Sequence, residues 1–138
     1  MTSRAMTDND AVLAANLEFY RAFAERDFAA MERLWASRAA VACTHPGWAP
    51  LTEREDIVES WRGILANPDS PRAACHDEVV FLWGDVAMVI CEEELPENTL
   101  TATNIFVRED GAWRIVHHHA GPVFMRHESA PRHKPRLN

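Results

Sequence analysis

The sequence predicts an α+β domain, a curved sheet packed on one side by helices, and three observations carry that prediction. Apolar residues recur at helical spacing in the early part of the chain. From Arg72 onward the period becomes two, in runs rich in β-branched and aromatic residues. Asp110-Gly111 then separates two such runs, a two-residue hairpin signal because Gly tolerates positive φ. Helices first and antiparallel strands afterwards is the order of an α+β fold.

Each element follows from local chemistry. Residues 1–9 are expected to be loose. From Asp10 to Arg26 the spacing of Leu13, Leu17, Tyr20 and Ala24, with Phe19 and Phe23 alongside, predicts an amphipathic helix capped by Asp8 or Asp10. Asp27 can cap a shorter helix with Phe28, Met31, Leu34 and Trp35 as its stripe. Val41 to His45 reads as a short strand, and Pro46-Gly47-Trp48-Ala49-Pro50 as a shaped loop. Thr52 with Glu55 three residues on forms a capping box before Ile57, Val58, Trp61, Ile64 and Leu65. Asn67-Pro68 ends that helix. Ala74–Phe81 and Val86–Leu95 are expected as strands about Trp83-Gly84-Asp85, followed by the hairpin 99–123. One folded domain therefore spans 10–125. Residues 126–138, with two prolines and no apolar period, are expected to form a mobile tail.

Composition narrows the function. Five Trp and six Phe beside one Tyr require that much aromatic surface be buried. A formal charge of −7, with Lys134 the only lysine, disfavours a nucleic-acid partner, which needs clustered cations. No run of about 18 apolar residues predicts a membrane span. Cys43, Cys75 and Cys91 lack any C-x-x-C pairing and read as reduced cysteines of a cytoplasmic protein.

Three stretches resemble a known family: Phe19-Tyr20-Arg21-Ala22-Phe23 followed by Asp27-Phe28-Ala29-Ala30-Met31, the loop His45-Pro46-Gly47-Trp48, and Asp110 to His119. Together they are similar to the SnoaL-like branch of the nuclear transport factor 2-like superfamily, from Asp10 to Val123. The resemblance implies a curved mixed or antiparallel sheet forming a cone closed by three N-terminal helices, with a pocket inside. It also implies a homodimer through the outer sheet face. Family members include polyketide cyclases, steroid isomerases, dehydratases and non-catalytic modules, and fold does not choose among them. The catalytic Asp, or Tyr–Asp pair, of the characterised enzymes has no clear counterpart, since the segment after Val41 bears His45.

The candidate site residues are therefore read from their own chemistry. His45, before a rigid turn, can exchange protons near neutrality, and Trp48 can wall a planar ligand. Regular alternation would put His117 and His119 on the face of Trp113 and Ile115, with His117 opposite Asn104, and a β-bulge would reverse this. Tyr20 can face the pocket or the core, and Trp61 can pack or contact ligand. Glu92, Glu93 and Glu94 are expected at an open rim, although an inward one near His45 or His117 would make an acid–base pair. No metal motif and no cofactor is expected. The sequence thus points to a protein binding a small apolar or aromatic molecule with a polar group. The activity would be that of an isomerase, cyclase or dehydratase using His45 and His117 on a carbonyl compound, with Tyr20, Trp48, Trp61, Asn104 and His119 as ligand contacts. The alternative is a non-catalytic binding or homodimerisation module with a filled pocket.

Overall fold

The structure is a computed structural model that describes residues 6–127, so the loose start and mobile tail expected at 1–9 and 126–138 lie mostly outside the described residues. Helix α1 runs Asp8–Ala24 and begins earlier than its apolar spacing suggests, because Thr7 supplies the cap. Its hydroxyl accepts from the Asp10 N–H at 3.1 Å, while Asp8 and Asp10 place negative charge on the positive end of the helix dipole. The buried face carries Val12, Asn16, Phe19 and Tyr20, whereas Leu17 is 68% exposed, so the expected Leu13–Leu17 stripe is rotated outward. Asp27 caps α2, Phe28–Leu34, as its sequence predicts.

Arg26 turns the chain between these helices in the left-handed region, φ 57°. Its guanidinium donates to the carbonyls of Ile64, Leu65, Asn67 and Ser70 at 2.6–3.5 Å. These are the orphan acceptors of a helix C-terminus and the loop beyond, so one side chain staples the α1–α2 corner to the end of α3.

Strand β1, Ala42–Thr44, precedes α3, Arg54–Ala66. The Thr52–Glu55 capping box does not form: Glu53 precedes the helix and makes no side-chain cap bond. Backbone pairing explains this, because Leu51 exchanges two 2.8 Å bonds with Cys43 and holds the approach extended. Arg54 then anchors the first turn by donating to the carbonyls of Glu32 and Ala36.

Strands β2 (Ala74–Trp83), β3 (Val86–Glu94), β4 (Thr99–Glu109) and β5 (Ala112–Pro122) pair antiparallel in succession, and β1 joins β5 in parallel. The order is β1-β5-β4-β3-β2. The expected cone is therefore corrected: β1 and β2 lie at opposite edges of an open sheet that neither closes nor curls strongly. A closed sheet needs its edges to meet, and the three residues of β1 offer too little edge for ten-residue β2. Nor are the helices all N-terminal to the sheet, since β1 separates α2 from α3. The helices instead shield one sheet face, where Ala87, Val89 and Cys91 of β3 and Ala102 and Phe106 of β4 are buried.

The β4–β5 turn uses Asp110 (φ 55°) and Gly111 (φ 77°), two successive left-handed residues that suit a tight hairpin. Just before it, the Glu109 carboxylate accepts from Ser37 N, Ser37 Oγ, Arg38 N and Ala39 N at 2.8–3.2 Å. Those bonds hold its carboxyl at about 2, the Ser37 N–H contributing most, and fix the α2–β1 loop to the hairpin. Phe106 faces Ile115 as expected, but the register then slips, because Ile105 pairs with His117 and Val116 is the extra residue. This bulge decides which histidine looks inward.

Candidate functional site

Beyond the bulge, His118 is 2% exposed and opposes Asn104, while His117 and His119 lie on the other face of the sheet. The expected pairing of Asn104 with His117 is thus corrected, and His118 takes the inward place. The same alternation acts along β3. Ala87, Val89 and Cys91 point inward, so Glu93 does too, at 2% exposed.

These strand residues meet α1 in one hydrogen-bonded network. Asn104 Nδ2 donates to Asn16 Oδ1 at 2.9 Å and to the Tyr20 hydroxyl at 3.2 Å. Tyr20 in turn donates to Glu93 Oε2 at 2.6 Å. With its amide nitrogen committed, Asn104 presents Oδ1 to His118 Nδ1 at 2.6 Å, so Nδ1 carries the proton. The other ring nitrogen, Nε2, is left with a lone pair, 3.9 Å from Glu93 Oε2. That gap is too long for a hydrogen bond.

His45 arrives from the opposite side, just after β1. Its Nε2 lies 2.9 Å from Ser60 Oγ, whose own hydrogen goes to the Ile57 carbonyl at 2.6 Å. His45 Nε2 therefore donates, and Ser60 has no hydrogen left to pass to a base, which argues against a Ser–His nucleophile. Phe19, Trp48 and Trp61 surround the imidazoles: the His45 ring lies 4.8 Å from Trp48 and 4.9 Å from Trp61, and the His118 ring 4.9 Å from Phe19.

Between α1, α3 and the sheet lies a cavity of about 290 Å³. Its walls include Phe23, His45, Trp48, Trp61, Ile64, Glu93, Leu95, Leu100 and His118. Ser70, Pro71 and Asn98 also line it. Of the residues singled out in the sequence, His45, Trp48 and Trp61 line this space. Tyr20 and Asn104 are buried behind it, bonded to Glu93 and His118. His117 and His119 are elsewhere.

Burial sets the proton affinities. It lowers His118 to about 3, with the neighbouring histidines adding to the effect, and lowers His45 to about 4. Burial also raises the Glu93 carboxyl above its ordinary range, opposed by the Tyr20 bond. The Tyr20 hydroxyl is pushed well up, by burial first and Glu93 second. Two neutral imidazoles and a carboxyl that holds its proton unusually well therefore share one low-dielectric space.

The sequence favours a rim position for Glu93, with an inward carboxyl as the alternative, and an outward His118 unless a bulge intervenes, and it does not single out Asn16. For Glu93 a signal existed, because Cys91 reads as core and the residue two positions on shares its face. His118 depended on a bulge, and Asn16 on a partner 88 positions away.

A second titratable group, His76, Asp77 and Glu92, brings one ligand atom from each residue within 4.8 Å of the others. Glu92 and His76 pair across β3 and β2, one position off Glu93 and so on the opposite face. Arg126 already bonds both Glu92 oxygens there, at 2.6 and 2.8 Å.

Comparison with known proteins agrees with this architecture. The profile of the SnoaL-like domain matches residues 12–125. A candidate dehydratase of the NTF2-like family from Streptomyces avermitilis superposes with TM-score 0.79 at 32% identity, over 86% of this chain and 97% of its own. A candidate calcium/calmodulin-dependent protein kinase type II association domain from Thiobacillus denitrificans gives 0.71 at 32% identity, over 81% and 94%. The F-box protein SKIP8 of Arabidopsis thaliana is 25% identical over 117 residues, 83% of this chain, which spans only 51% of that protein. With its helices, mixed sheet and cavity described, and a profile match over most of its length, the chain belongs to the SnoaL-like domain family of the NTF2-like superfamily.

Proposed function

We propose that the cavity binds a small carbonyl compound and moves a proton on it, the chemistry of an isomerase, cyclase or dehydratase step. The observation that supports this most directly is the pair His118 Nε2 and Glu93, 3.9 Å apart and both lining the cavity. His118 Nε2, held as a lone pair by the Asn104 bond, is the base that removes a proton from the carbon next to the carbonyl. Glu93 accepts from Tyr20 at Oε2, so its other oxygen carries the acid proton and donates it to the carbonyl oxygen. Two groups whose environments favour opposite roles form an acid–base pair. His45, with Trp48 and Trp61, holds the ring of the ligand, and Tyr20 and Asn104 position the pair.

The test needs no known substrate. Wild type in deuterated water is expected to accelerate exchange of the acidic C–H protons in a panel of cyclic and aryl ketones, followed by proton NMR. His118→Gln and Glu93→Gln should each reduce that rate by about a hundredfold or more. Absence of acceleration, or rates unchanged in both variants, would sink the reading.

A homodimer is the second part of the proposal. Val79 and Phe81 of β2 are 48% and 39% exposed on the sheet face opposite the helices, beside Met88 and Ile90 of β3. Contiguous apolar surface of this kind marks an interface. Phe81→Lys is expected to shift the protein from dimer to monomer in sedimentation velocity, and a wild-type monomer would refute the interface. Three free cysteines fit a reducing compartment such as the cytoplasm.

A further inference from the structure

We propose, building on the ligand-site reading above, that the cavity is made for an uncharged single-ring compound with an oxygen at each end, a hydroxyaryl or cyclic ketone, and that it excludes anions such as carboxylates and phosphate esters. Charge supplies the first argument. Among the described residues no Lys or Arg lines the cavity, and those are the side chains that recognise carboxylate and phosphate. Arg26 comes near the mouth, but its N–H groups are bonded to main-chain carbonyls, including that of Ser70 at 2.6 Å. His45 and His118 are neutral well below neutrality, so neither offers a countercharge. An anion entering would lose its hydration and find no cation to replace it.

Size supplies the second argument. A volume of about 290 Å³ lies at the small end of ligand pockets, which run from about 300 to 1,000 Å³. A single substituted ring suits a space of that size. Polarity supplies the third. The polar lining is deepest at Glu93 and His118, both buried, and shallowest at exposed Asn98 and half-buried Ser70, and Trp61 and Leu100 add apolar wall. A ligand that satisfies both polar pairs has an oxygen at each end and a flat apolar middle.

Three probes matched in size separate the possibilities by calorimetric titration of the full chain at neutral pH. They are 4′-hydroxyacetophenone (uncharged), 4-hydroxybenzoate (anionic) and tyramine (cationic). The uncharged ketone is expected to bind about tenfold or more tighter than either ion. Trp48→Ala, a change at a half-exposed position that should leave the fold intact, is expected to weaken the ketone by about tenfold. If 4-hydroxybenzoate or tyramine binds as tightly as the ketone, the inference is overturned while the ligand site stands. The same holds if Trp48→Ala leaves affinity unchanged. If none of the three produces heat or perturbs the NMR signals of Trp61 and His118, the inference and the ligand-site reading fall together. Proton exchange is measured separately, so a ketone that binds without exchange removes the chemistry and keeps the ligand class.

Discussion

Trp61→Ala is expected to lower the unfolding free energy by about 3–5 kcal/mol, the range for truncating a fully buried large aromatic. Trp61 is 1% exposed, and its ring lies 5.3 Å from Phe19, 5.1 Å from Phe23 and 4.9 Å from His45. Because it also walls the cavity, the neighbours cannot all collapse onto the vacated volume, and the loss should fall near the top of that range. Urea denaturation reads the effect directly. A companion Trp61→Phe variant, which retains an aromatic ring, should cost clearly less. A loss below about 1 kcal/mol for the alanine variant would mean that this ring is not the wall between core and cavity.

Acid should destabilise the protein through its buried imidazoles. His118 titrates at about 3 in the folded chain and at about 6.5 once unfolded. Below about pH 6.5 the unfolded chain therefore binds a proton that the native state refuses. Stability falls as pH drops through that window, by about 1.4 kcal/mol per unit. His45 adds a similar slope down to about 4. Glu93 acts with the opposite sign. Its raised carboxyl gives stability that is full below the ordinary carboxylate range and is lost as pH rises through its native value. The clean observable is a difference: between about pH 6 and 4.5, His118→Gln should lose about 1.4 kcal/mol less per pH unit than wild type. Parallel slopes for the two proteins would contradict a neutral, buried His118.

Local chemistry is well written in this sequence, and long-range pairing is not. The Asp27 cap, the Asp110-Gly111 turn and the Phe106–Ile115 pair can all be read from neighbouring residues, and all are present. The capping box at Thr52 was equally local, yet Leu51 pairs with Cys43 and overrides it. Alternation along β5 holds only up to Ile115, because parallel pairing of Ala42, Cys43 and Thr44 with His117, His118 and His119 sets the register from outside the hairpin. Asn16 has no local signal, because its partner, Asn104, lies far along the chain. Glu93 was legible in principle, but a carboxyl in an apolar row reads as a rim residue until Tyr20 is seen to bond it. An open sheet order likewise has no local signature.

Val116, the residue left over where β4 and β5 lose step, has a consequence for how this protein can change. Three consecutive imidazoles mean that either phase of the strand delivers one to the interior. Deleting Val116 would remove the bulge and leave His118 opposite Asn104, whereas drawing Val116 into the ladder would bring His117 there instead. The run of histidines thus keeps an imidazole on the inner face through single-residue indels, a kind of robustness that point mutation alone cannot supply.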